Sequence, residues 1–150
     1  MIVLDINVLV YAHRADEPLH ARHAAWLQDL VQSTARFAIP TVVATGFVRI
    51  VTHPRIYDPP TPLPRALRFM EALRDRPNHV PVEPGPGHWA IFRRLCTAAN
   101  LHGADISDAH IAAICLEAGA ELVSTDRGFG RFPELRWREP IPNGRASRDS

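Results

Sequence analysis

At 150 residues, 46% of them apolar and 7% aromatic, the chain has the length and composition of one ordinary globular domain that can bury a core. Seventeen basic residues against sixteen acidic ones leave it almost neutral, so bulk charge does not announce a nucleic-acid partner. Two cysteines without CxxC spacing exclude a disulfide scaffold or a zinc site of the usual pattern, and no run approaches the roughly 20 apolar residues of a membrane span.

The first residues lack a positively charged start and Asp5 interrupts their apolar run, so no signal peptide is expected and the protein is read as intracellular. "IVL" (2–4) predicts a short buried strand, followed by a short helix from Asn7. Glu17 and Pro18 open a longer helix, because proline loses nothing by lacking an N–H in a first turn. Its apolar stripe is His23, Trp26, Leu27, Leu30 and Val31. "RFAI" (36–39) predicts a second strand, and Pro40 and Thr41 start a helix reaching about Thr52. The proline-rich "HPRIYDPPTPLP" is a surface connection to a helix over 63–74, with Leu63, Ala66, Leu67, Met70 and Leu73 on one face.

"HVPVE" (79–83) predicts a third strand, and "GPG" separates it from a helix over 88–99. "LHGADI" reads as a loop and "SDAHIAAICLEAG" as a strong helix, from Ser107 as N-cap to Gly119 as its stop. "ELVS" predicts a fourth strand, "RGFGRF" a turn and "LRW" a candidate fifth strand. Residues 1–140 are expected to form a single domain and 141–150 a basic, frayed tail. Cys96 and Cys115 fall on apolar helix faces, as small hydrophobes of the core.

Strands alternating with helices imply an α/β fold whose mostly parallel sheet, of four to five strands, is covered on both faces. In such sheets ligands sit beyond the carboxyl ends of the strands. Asp5 and Asp126 end their strands on that edge, and Asp108 opens a helix that faces it. Taken singly, each has a plain alternative: Asp5 as a helix cap, Asp108 as a favourable charge at a helix N-terminus, Asp126 as a turn residue. Together they would repel one another, and a divalent cation relieves that repulsion. Oxygen-only ligands point to Mg²⁺ or Mn²⁺, which suit phosphodiester chemistry.

Competing chemistries lack their residues. There is no glycine-rich phosphate loop, no GxSxG elbow and no plausible Cys/His pair. His20 and His23 of "HARH" have metal-compatible spacing but no third ligand, so a half-buried helix face is the simpler reading. His110 reads as packing or as a hydrogen bond at the site's edge.

At "LDINVLV", "ISDAHIAA" and "LVSTDRGFGRF" the sequence resembles PIN domains, and among them the VapC toxins of bacterial toxin–antitoxin pairs. "GFVRIVTHPRIY" resembles the middle of certain VapC proteins, and the likeness runs from Met1 to about Pro140. The resemblance implies a Rossmann-like α/β/α sandwich and an Mg²⁺- or Mn²⁺-dependent endoribonuclease of the bacterial cytoplasm. It implies acidic metal-site roles for Asp5, Asp108 and Asp126, and supporting hydrogen-bond roles for Asn7 and Ser124. It further implies an RNA substrate, a cognate VapB-like antitoxin and a homodimer.

Two positions depart from the family's pattern. Gly46 stands where a glutamate is usual, three residues before Arg49, and Gly128 stands where a further acid often follows the last aspartate. Asp105 is a candidate substitute ligand, or else a solvated loop residue. Three readings follow: a ribonuclease toxin, a catalytically weakened PIN fold that binds RNA or protein, and a metal-dependent nuclease acting on structured DNA. Arg127, Arg131, Arg136 and Arg138 are expected to flank the acidic site, and the helix faces around Trp26, Phe47 and Met70 to receive an antitoxin helix.

Overall fold

The computed structural model describes residues 1–141, so the tail expected after residue 140 lies, apart from Ile141, outside the described residues. Four short apolar runs pair as strands: β1 (Ile2–Leu4), β2 (Phe37–Ala38), β3 (Glu121–Val123) and β4 (Trp137–Arg138). They form one sheet in the order β2-β1-β3-β4, with every neighbouring pair parallel. Ile2 stands beside Phe37 on one side and Glu121 on the other, and Leu122 beside Trp137. Val3, Leu4, Leu122 and Val123 are wholly buried, as the central strands of a covered parallel sheet require.

"LRW" does contribute the edge strand, whereas "HVPVE" does not form one. The Val80 N–H donates to the Phe37 carbonyl at 2.7 Å, and the pairing ends after one bridge at His79. Pro81 follows immediately and has no N–H to continue a ladder. Glu83 serves elsewhere: its Oε1 accepts from the Thr41 N–H at 2.8 Å and the Thr41 hydroxyl at 2.6 Å, capping a helix that has no cap of its own.

That helix is α3 (Thr41–Val51), preceded by α1 (Ile6–His13) and α2 (His20–Gln32) and followed by α4 (Leu63–Arg74), α5 (His88–Ala98) and α6 (Asp105–Ala118). α1 packs on α2 and α3, α3 on α4, and α5 on α6. Two starts differ from expectation. Pro18 lies in the turn before α2 rather than in its first turn, with the His20 N–H returning to the Glu17 carbonyl. α6 begins at Asp105, so Ser107 is inside its first turn and caps nothing, and Asp105 is helical rather than on a loop. The expected stop holds: Gly119 sits at φ 66°, a left-handed conformation that glycine adopts without strain.

The core differs from the apolar stripes in three places. Leu63 and Leu67, expected on the inner face of α4, are 54% and 42% exposed. Phe47 and Met70 are buried and Trp26 is half-buried, so these residues do not form a free apolar face. Cys115 is fully buried, where burial pushes its thiol up to about 12, but Cys96 is only half-buried. Among the described residues no helix is long and apolar enough to cross a membrane.

The chain leaves β1 in one direction to β2 and in the other to β3 and β4. The crevice where strand order reverses therefore lies beyond the carboxyl ends of β1 and β3.

Candidate active site

Asp5 follows β1 directly and caps α1, its Oδ1 accepting from the Ile6 N–H at 2.8 Å. Its Oδ2 accepts from the Ser124 hydroxyl at 2.6 Å and from the Asn7 side-chain amide at 3.3 Å. Asp5 is 6% exposed, and a carboxylate that deep needs these donors on both oxygens. Asn7 ties the two strand ends together. Its amide also donates to Ser124 Oγ at 3.4 Å, and its Oδ1 accepts from the Thr125 N–H at 3.2 Å. Ser124, wholly buried, gives its one proton to Asp5 and accepts from the Asp126 N–H at 3.0 Å.

Asp126 stands three residues beyond β3 rather than at its end. It caps a 3-10 helix, Arg127–Arg131, its Oδ1 accepting from the Gly128 N–H at 2.8 Å. Asp108 reaches the crevice from the first turn of α6, whose inward residues Ile111, Ala112 and Cys115 are buried. The carboxylates are close enough to disturb one another. Burial pushes the Asp5 carboxyl up, the hydrogen bonds from Ser124 and Ile6 oppose this, and the charge of Asp126 adds to it. Burial, then the charge of Asp126, lifts Asp108 from 3.8 to about 6, with Arg131 opposing and Asp5 and Asp105 adding.

Of the four arginines expected to flank the acidic site Arg131 does so, and its direct pairing with the carboxylates is what the residues did not announce. Its guanidinium reaches Asp108 Oδ2 at 2.9 Å and Asp105 Oδ2 at 3.1 Å, and its Nε donates to the Gly128 carbonyl at 2.6 Å. The spacing carries the signal: residues three apart eclipse in a 3-10 turn, so Arg131 lies over Gly128. A Cβ at Gly128 would stand 2.6 Å from Arg131 Nη2 and 2.9 Å from Asp126 Oδ1, so the glycine is what admits the guanidinium. Gly46 has a parallel explanation. A Cβ there would stand 2.5 Å from Ile6 Cδ1, so the Ile6 side chain fills the space.

The other three arginines serve elsewhere. Arg127 pairs with Glu139, while Arg136 and Arg138 reach the Gly119 carbonyl and Glu121, toward the amino end of β3. Both histidines of "HARH" bond the backbone through Nδ1, His20 to the Tyr11 carbonyl and His23 to the Leu19 carbonyl, and among the described residues no group of three His, Cys, Asp or Glu side chains gathers for a metal. His110 packs edge-on against His88, with ring centroids 4.6 Å apart.

The donor chemistry fits a hard divalent cation, being all carboxylate oxygen with neither Cys nor His in the cluster. Among the described residues no three such groups form a ready-made metal cluster, and Asp108 is held by Arg131. A cation taking Asp108 through Oδ2 would compete with that guanidinium.

Comparison with known proteins places the geometry in a family. A model described as "PIN domain" matches residues 2–135. Ribonuclease VapC43 of Mycobacterium tuberculosis is 43% identical over 141 residues, covering 94% of this chain and 96% of its own length. Ribonuclease VapC25 of the same organism is 39% identical over 140 residues, 93% of this chain and 99% of its own. Among solved structures, VapBC2 from Rickettsia felis, bound to a promoter DNA fragment, superposes with a TM-score of 0.68 at 18% identity. That match covers 93% of this chain and 98% of the other.

Proposed function

The chain belongs to the PIN-domain family, and on that premise we propose that it is a VapC-type endoribonuclease, the toxin of a toxin–antitoxin pair. What supports the reading, beside the family match, is the hydrogen-bonded chain at the β1/β3 crevice: Ser124 bonds both Asp5 and the Asp126 N–H, and Arg131, over Gly128, reaches Asp108. Residues 1–140 act as its single domain. PIN-domain ribonucleases are generally dependent on a divalent metal. Here Asp5, Asp108 and Asp126 would hold it, with Asp105 able to join once Arg131 moves, and Mg²⁺ or Mn²⁺ suits these oxygens best.

Bound there, the cation supplies neutralisation of the phosphodiester and activation of the attacking water. The chain's own residues do the rest. Ser124 and Asn7 hold Asp5 by hydrogen bonds at the buried end of β1, which keeps its carboxylate oriented for the reaction. Asp108, pushed up to about 6 by burial and the charge of Asp126 in the chain without cation, would be held ionised by the metal and act as its ligand. Arg131, released from Asp108, offers a planar fork of donors to a phosphate oxygen pair.

An antitoxin segment is the proposed partner. It would lie as a helix along the groove of about 600 Å³ between α3 and α4, where Ala44, Val48 and Met70 form the floor and Leu67 is exposed. A homodimer in the bacterial cytoplasm completes the proposal. The test is growth and cleavage: the wild-type chain expressed alone arrests growth and cuts RNA, Asp5→Ala does neither, and the antitoxin complex is silent. The pairing of Arg131 with Asp108 and Asp105, which competes with a cation there, favours a second reading, a weakened fold that binds RNA without efficient cleavage. Tight RNA binding with no metal-stimulated cleavage would select it.

A further inference from the structure

Beside the acidic crevice lies a cleft of about 390 Å³ between α1, α3 and α6, and we propose that it is a nucleobase pocket that seats and reads one base next to the scissile phosphodiester. The proposal rests on the ribonuclease reading and adds a source of sequence preference. The size lies within the ~300–1,000 Å³ of small-ligand sites.

Its position follows from chain connectivity. Ile6 lies between Asp5 and Asn7, and Ser107 immediately precedes Asp108. A group held in the cleft is therefore one residue away, on two separate elements, from the carboxylates of the crevice.

The lining suits a flat, polar-edged ring. Ile6, Val42 and Ile111 supply apolar walls. Gly46 shapes the floor: a Cβ there would stand 2.5 Å from Ile6 Cδ1, so the glycine leaves the Ile6 side chain its place against α3. At the rim stand Thr45, Ser107 and Arg49, all exposed. Arg49 makes no ion pair among the described residues, so its five donors face outward uncommitted. An arginine fork at the edge of an apolar slot matches the adjacent O6 and N7 acceptors of guanine better than the edge of any other base. The Thr45 hydroxyl already donates to the Val42 carbonyl at 3.2 Å, which leaves its lone pairs for a base N–H.

Two measurements test this. In the first, the purified chain is titrated with each of the four nucleoside 5′-monophosphates while backbone amide resonances are followed. GMP should shift the amides of residues 42–49 and 106–111 more than the other three, and Val42→Trp, which fills the cleft from its exposed side, should abolish the shifts. No shift in these segments overturns the pocket. In the second, a randomised RNA pool is cleaved and its ends are sequenced. The wild type should require guanine at one position flanking the cut. Arg49→Met should lose that preference alone, by roughly 5- to 150-fold, the value of one bidentate pair. Cleavage by the wild type indifferent to flanking bases, or an unchanged preference in Arg49→Met, overturns the pocket and leaves the ribonuclease reading intact. Absence of any wild-type cleavage overturns the ribonuclease reading instead, and the nucleotide titration then decides the pocket by itself.

Discussion

Around Asp5 every contact is a neutral hydrogen bond inside the fold, from Ser124, Asn7 and the Ile6 amide, whereas around Asp108 the partner is a charge, Arg131. The first carboxylate is locked by two strand ends and is 6% exposed. The second hangs from a helix start and shares its cation with the half-exposed Asp105. The neutral donors around Asp5 can stay in place beside a cation, whereas the guanidinium on Asp108 can be exchanged for one, charge for charge. One half of the site is preorganised and the other is displaceable.

The largest expected effect comes from breaking the rigid half at its centre. Asp5→Asn should lower RNA cleavage by about 10²–10³-fold, the cost typical of losing one preorganised electrostatic group. A rate within a few-fold of wild type, measured on folded protein, would remove Asp5 from the chemistry. Next comes the support. Ser124→Ala strips a donor from Asp5 and an acceptor from the Asp126 N–H in a fully buried place, and should cost about 1–3 kcal/mol in urea unfolding. It should also raise the Asp5 carboxyl further, because the Ser124 bond holds it down.

The displaceable half should declare itself through pH. With Asp108 at about 6 in the fold and 3.8 as its ordinary value, the folded chain binds the extra proton between these values. Stability therefore falls as pH rises through that window, and the loss is complete above it. Asp108→Asn should be the more stable protein at pH 7 without cation, by about 2–4 °C in Tm for each kcal/mol relieved, with the difference gone below pH 4. A constant difference across that range would show that Asp108 is not the titrating group.

Cation binding runs the other way: it needs the ionised carboxylate, so Mn²⁺ stabilisation should grow as pH passes 6. Arg131→Gln removes both the competitor and the charge that holds Asp108 down. At pH 8 it should bind Mn²⁺ more tightly, by roughly tenfold if the ion pair is worth about 1.4 kcal/mol, and its midpoint should move above 6. Equal affinity in the two proteins would mean that Arg131 does not compete. The smallest effect is expected from Arg136→Ala and Arg138→Ala, whose side chains point toward the amino end of β3. Neither should change RNA cleavage, and stability should stay within about 0.5 kcal/mol.

Asp5 at the end of β1, the helix over 88–99, the bounds of α4 and the stop at Gly119 were legible in the residues, because each depends on neighbours within a turn or two. The third strand, the start of α6 and the exposure of Leu67 were not. "HVPVE" has a strand's apolar residues, but Pro81 removes a ladder donor just where pairing would have to continue, and Glu83 is drawn to the bare N-terminus of α3. The stripe on α4 marks a hydrophobic face without saying how much of it another element covers.

What the sequence determined by itself was which chemistry could occur: three carboxylates at element ends of a parallel α/β fold, with Asn and Ser beside them. What only tertiary structure decided was the state of that cluster. Gly46 and Gly128 read as missing acids in one dimension. In three dimensions they are spaces, one occupied by Ile6 and the other by Arg131. A glycine states only that no side chain begins there. Which distant side chain enters the vacancy, apolar against α3 or cationic against Asp108, depends on packing between elements far apart in the chain, and local sequence carries no term for it.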